Sequence, residues 1–158
     1  MQSIRYWSLL LVLTGVLCHA GAGQAADYGP DITLQDAKRV AAAAASTAER
    51  LKLKVAIAIV DTAGQLVYFE KADDTQTASV DIAIAKARSA NNFRRSTKVF
   101  EDAVLSGRTS ILGLPGAVPV EGGLPIVRQD RIIGAVGISG ATSAEDGTIA
   151  AAAVSVIQ

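Results

Sequence analysis

Apolar residues recur at three- and four-residue steps from Leu34 through Ala37, Ala41, Ala44 and Ala48 to Leu51. That spacing predicts an amphipathic helix whose apolar face is flat with alanine, and Thr33 with Asp36 forms a capping-box-like pair at its start. The period then changes. Val55–Val60 is an unbroken Val/Ile-rich run, Asp61–Gly64 reads as a turn, and Leu66–Lys71 returns as a hairpin partner. A second helix is expected over Thr77–Asn92, and a short third one follows, capped by Ser96 or Thr97, with Gly107 past its end. Three strands are then expected near Pro119–Glu121, Leu124–Arg128 and Arg131–Ser139. Thr142 with Glu145 caps a last helix rich in Ala, Val and Ile. The order helix, hairpin, two helices, three strands and helix predicts an α+β fold with a mostly antiparallel sheet, not an alternating parallel one.

Residues 1–26 read as an address. Arg5 is followed by the apolar run Trp7–Leu17 and then by small residues up to Ala26, the pattern of a cleaved secretory signal; the run is too short to span a bilayer. We therefore expect one domain over residues 27–158, in the periplasm or secreted, with no membrane attachment after processing. Cleavage also removes the only Cys (Cys18), His (His19), Trp (Trp7) and Met (Met1). Without them there is no disulfide framework, no Cys/His metal site, no His-based nucleophile pair and no usual axial ligand for haem iron. Losing Arg5 takes the balance of 15 basic and 15 acidic residues to one net negative charge, which argues against a nucleic-acid partner.

Candidate chemistry concentrates in three places. Lys86 lies in the alanine-rich helix beside Ala83 and Ala90; it acts there either as a buried base or anion anchor, or with its stem along apolar surface and its ammonium in water. Asp81 and Arg88 flank it. Arg94 and Arg95 precede Ser96 and Thr97, so two guanidinium groups beside a helix start make a seat for carboxylate or phosphate, or else a solvated pair. Gly122 and Gly123 form a tight turn or, with Glu121, line a pocket with backbone amides. Gly134, Gly137 and Gly140 are spaced unlike a dinucleotide fingerprint and fall inside a strand, where they permit close packing or a bulge.

Taken in order, IVDTAG at Ile59–Gly64, VDIAIAKA at Val80–Ala87 and the glycine- and proline-punctuated run Leu114–Gly140 resemble the GlcG-like, or haem-degrading-domain, family from Leu34 to the C-terminus. The resemblance implies a profilin-like α/β/α sandwich around a five-stranded, mostly antiparallel sheet. It implies a homo-oligomer built from dimers, up to octamers, which suits a chain with only 4% aromatic residues and a correspondingly thin core. It also implies haem or a related tetrapyrrole as ligand. Arg88, Arg94, Arg95 and Lys86 would then meet the propionates, Thr97, Gly122 and Gly123 would border the ligand, and Tyr68, Thr97, Thr109 or Lys86 would be the only axial ligands to hand. The alternative it implies is an enzyme or accessory protein for a small organic acid of the glycolate type, with Lys86, Asp81 and Glu121 as acid/base and anion-binding groups.

Overall fold

In a computed structural model that describes residues 26–157, the elements follow the order β1 (Asp27–Tyr28), α1 (Leu34–Arg50), β2 (Ala56–Val60), β3 (Leu66–Lys71), α2 (Ser79–Asn92), α3 (Lys98–Leu105), β4 (Gly123–Arg128), β5 (Arg131–Ser139) and α4 (Ser143–Val154). Residues 1–25 of the expected export signal lie outside the described residues. The fold is α+β, as the residue pattern predicts, and the sheet has five strands.

Central β5 is flanked by antiparallel β4 on one side and antiparallel β2 on the other, with β3 beyond β2. The fifth strand is not Pro119–Glu121, which is irregular; Pro119 has no amide proton to give to a ladder. It is β1, whose Asp27 and Tyr28 pair in parallel with Arg131 and Ile132. Arg94 pins this short strand: its guanidinium reaches Asp27 at 3.2 Å and lies over the Tyr28 ring, while the Tyr28 hydroxyl donates to the Asn91 carbonyl.

Strand alternation sorts the core into two unlike halves. Ile57, Ile59, Val136 and Ile138 face α1 and α4, together with Ile126 and Ile149. Ala56, Ala58, Val60 and Ala135 face α2, which answers with Ala83, Ala87 and Ala90. Gly137 completes this small-residue face. A Cβ added there would lie inside the van der Waals envelope of the Ala83 carbonyl, and one at Gly123 would do the same against the Lys86 carbonyl. The expected close packing at Gly137 is thus present, and α2 rests almost backbone-on-backbone on the sheet. Gly122 and Gly123 are accordingly less a tight turn than the point where β4 slides beneath α2.

The caps divide likewise. Thr33 accepts from the Asp36 amide, and Thr142 with Glu145 forms a full capping box. Of the two residues expected to cap α3, Ser96 accepts from the Lys98 amide at 3.1 Å, whereas Thr97 does not use its hydroxyl there. That oxygen accepts instead from the Gly123 amide at 2.9 Å, while the Thr97 amide donates to the Gly123 carbonyl at 3.0 Å.

Candidate functional site

The fifth residue of the run Ile82–Lys86 is among the most deeply buried in the molecule. Lys86 is 1% exposed; its Nζ donates to Asp146 Oδ2 at 2.8 Å and to the Ile138 carbonyl at 3.0 Å. The ammonium occupies space left by Gly122, where a Cβ would lie 2.9 Å from it. Asp146, in the first turn of α4, also accepts from the Ala141 amide. Burial pushes the Asp146 carboxyl above the usual carboxylate range, and the hydrogen bond and charge of Lys86 pull it partly back. The pair therefore bridges the helix on one face of the sheet to the helix on the other, through the gap at the start of β4. Its partner lies sixty positions along the chain, and no spacing rule joins them.

The other anticipated residues are distributed around this centre without meeting in one place. Glu121 is half-buried with its carboxylate over Gly147, and its amide donates to Glu101. Lys98 approaches it at 3.9 Å. Thr97, Gly122 and Gly123 are buried in backbone contacts. Arg94 is committed to β1, and Arg95 donates to the Phe93 carbonyl; the two guanidinium groups do not converge on one seat. Tyr68 donates to Glu70, and Thr109 is exposed in a 3₁₀ turn. Asp81 and Arg88 sit on the outer face of α2, away from the sheet-facing Lys86, so the trio Lys86, Asp81 and Glu121 is not assembled.

What Asp81 and Arg88 do share is a groove of about 450 Å³. One wall is the outer face of α2, with Asp81, Ile84, Ala85, Arg88 and Asn92; the other is Gly116–Val118, and Leu66 of β3 closes the floor. The outer face of α2 and loop 114–118, through Gly116–Val118, thus border one groove, and Lys86, Glu121, Gly122 and Gly123 are not among the residues that line it. The loop is held by the Val118 amide, which donates to the buried Ser89 hydroxyl at 3.0 Å. Arg88 Nε donates to the Gly64 carbonyl at 3.1 Å, which anchors the guanidinium at one end. Asp81, seven residues earlier, lies about 10 Å away along the helix axis. The groove is thus polarised, cationic at one end and carboxylate at the other, with apolar walls between. A second hollow of about 400 Å³, near Ala48, Leu53 and Ile57, intermixes Glu49 and Glu70 with Lys52 and Lys54 and has no such polarity. Among the described residues no cluster of three potential metal-ligating side chains occurs.

Residues 32–155 match the family model of the haem degrading protein HbpS-like. The chain is 38% identical over 108 residues to Protein GlcG of Escherichia coli K12, covering 68% of this chain and 81% of that protein. Among solved structures it resembles a PduOC:heme complex with a TM-score of 0.72 at 28% identity, covering 81% of this chain and 96% of that one. It also resembles HbpS, with a TM-score of 0.75 at 25% identity over 82% of this chain and 92% of that one.

Proposed function

The chain belongs to the HbpS-like family of haem-degrading proteins, and from that premise we propose that it is an exported protein that binds haem or a related tetrapyrrole in the groove beside α2. The polarised groove carries this reading. Ile84, Ala85 and Leu66 line the groove together with Ala117 and Val118, an apolar lining suited to the face of a flat macrocycle. Arg88 meets a propionate at one end. Residues 26–157 contain no His, Cys or Met, so a protein ligand to the iron is an oxygen or a lysine nitrogen. Lys86 is enclosed and paired, which leaves the Asp81 carboxylate as the ionisable oxygen in the groove. Such weak-field ligation gives a high-spin ferric complex of modest affinity. Export is supported by the charged, apolar and small-residue sequence of residues 1–26.

Titration with ferric haem, followed by the Soret band, tests the reading. Arg88→Ala is expected to weaken binding about tenfold, on the order of 1.4 kcal/mol, and Asp81→Asn to change the ferric spectrum. Unaltered affinity and spectrum in the double variant would place the ligand elsewhere.

A further inference from the structure

Two helices of this fold end in the same way, and in each a cation stands where glycine is preferred. At the end of α2 the Arg95 amide donates to the Ala90 carbonyl at 3.2 Å and the Arg94 amide to the Asn91 carbonyl at 3.1 Å. Arg94 is the left-handed residue of that motif, with φ 53°. At the end of α1 the Leu53 amide donates to the Ala48 carbonyl and the Lys52 amide to the Glu49 carbonyl, both at 2.9 Å. Lys52 thus holds the equivalent place, with φ 59°. A side chain costs stability in that conformation. Arg94 is accounted for, since it holds β1. Lys52 has no carboxylate within ion-pairing distance among the described residues. Glu49 also stands against local preference. It puts a carboxylate in the last turn of α1, where the helix dipole favours cations, and it too has no ion pair among the described residues.

Both side chains line the hollow of about 400 Å³ at the end of α1. Lys54 and Glu70 join them there, and the Tyr68 hydroxyl donates to Glu70 at 3.2 Å. The rest of the lining is apolar, with Ala48, Leu53, Val55 and Ile57 among it. Two carboxylates and two ammonium groups give a ligand of either single sign as much repulsion as attraction. We propose that this hollow is a second ligand site, and that it takes a small zwitterion with an aliphatic body, the chemistry of an apolar amino acid or a short apolar peptide. The ligand's ammonium pairs with Glu49 at the negative end of α1, its carboxylate pairs with Lys52 and Lys54, and its body lies on the apolar lining. The hollow shares no lining residue with the groove beside α2, so the proposal is independent of what that groove binds.

Titration of the isotope-labelled protein with L-leucine and with L-leucyl-L-leucine, followed by amide chemical shifts, tests it; the two arms tell amino acid from peptide. At least one should give saturable shifts at Lys52, Leu53 and Ala72. That probe should bind at least about tenfold more tightly than isocaproate, which lacks the ammonium, or isoamylamine, which lacks the carboxylate. Lys52→Gly should weaken the binding about tenfold and also raise the thermal midpoint by roughly 2 °C, because glycine accepts the left-handed conformation freely. A residue kept for structure alone would lose stability instead. Absence of saturable shifts with both probes would overturn the proposal. So would equal affinity for isocaproate or isoamylamine, shifts confined to other parts of the molecule, or a Lys52→Gly variant that binds as the parent does.

Discussion

The two faces of the sheet use opposite means to hold a helix. Toward α1 and α4 the contact is made by branched side chains, Ile57, Ile59, Ile126, Val136 and Ile138 among them. Toward α2 it is made by alanines and by the bare backbone at Gly137 and Gly123. Branched side chains have alternative rotamers and neighbours that relax, so that face yields by degrees when altered. Backbone against backbone has nothing to rotate. The small-residue face is thus close to all-or-none, and the same tight fit encloses Lys86 with a single carboxylate for company.

The largest expected effect falls on that pair. Lys86→Met leaves the Asp146 carboxylate buried without its cation and should cost about 3–5 kcal/mol in urea unfolding. Adding Asp146→Asn removes the orphaned charge and should recover much of the loss; additive costs in the double variant would refute the coupling.

Next, the two faces can be set against each other directly. Gly137→Ala adds one methyl beneath α2 and should destabilise by about 3 kcal/mol, because the Ala83 carbonyl has nowhere to go. Ile138→Val, its neighbour on the other face, removes one methyl and should cost about 1 kcal/mol. Equal costs at the two positions would erase the distinction between the faces.

The smallest effect is one of pH, and two carboxylates respond with opposite sign, one on the surface of α1 and one enclosed with Lys86 of α2. Asp36, on α1 with its side chain 13% exposed, has its carboxyl lowered chiefly by the hydrogen bond from Arg128. Its contribution is present above the ordinary carboxylate range and is lost as pH falls through the lowered value. Asp146 is raised, chiefly by burial, so its contribution is fullest below that range and declines as pH rises through the raised value. Stability followed from pH 2 to 7 should show a shallower acid-side loss in Asp36→Asn. The Lys86→Met, Asp146→Asn double variant should lose the opposite component instead. An unchanged acid limb in the first, or an unchanged neutral limb in the second, would break the assignment.

Much of this contrast is legible in the amino-acid order. The alternation of Ala and Ile through Ala56–Val60 already separates a small face from a large one, and glycines inside a strand pattern announce close approach. Thr33 and Thr142 also cap where their positions suggest. Elements that depend on distant partners are harder to read. β1 has only two paired residues, too few for a period, and its register is set by Arg131 and Ile132 about a hundred positions away. Thr97 carries a cap's side chain, yet β4 captures its hydroxyl. The candidate site divides along the same line. Lys86, Asp81 and Arg88 stand within one short segment, and their residue types mark it as unusual. Which of them faces the sheet is decided by the counter-ion on α4 and by loop 114–118, neither of which local spacing specifies.

The bare backbone beneath α2 has a consequence for how this molecule can change over time. Because the helix is seated chiefly by its inner face, Asp81 and Ala85 bear little of the packing that fixes its position, and Arg88 adds a hydrogen bond to the Gly64 carbonyl. They can be exchanged for other residues while the groove keeps its place and changes its lining. Folding and ligand choice are thereby written on opposite sides of one helix, and a lineage of such proteins is free to revise the second without reopening the first.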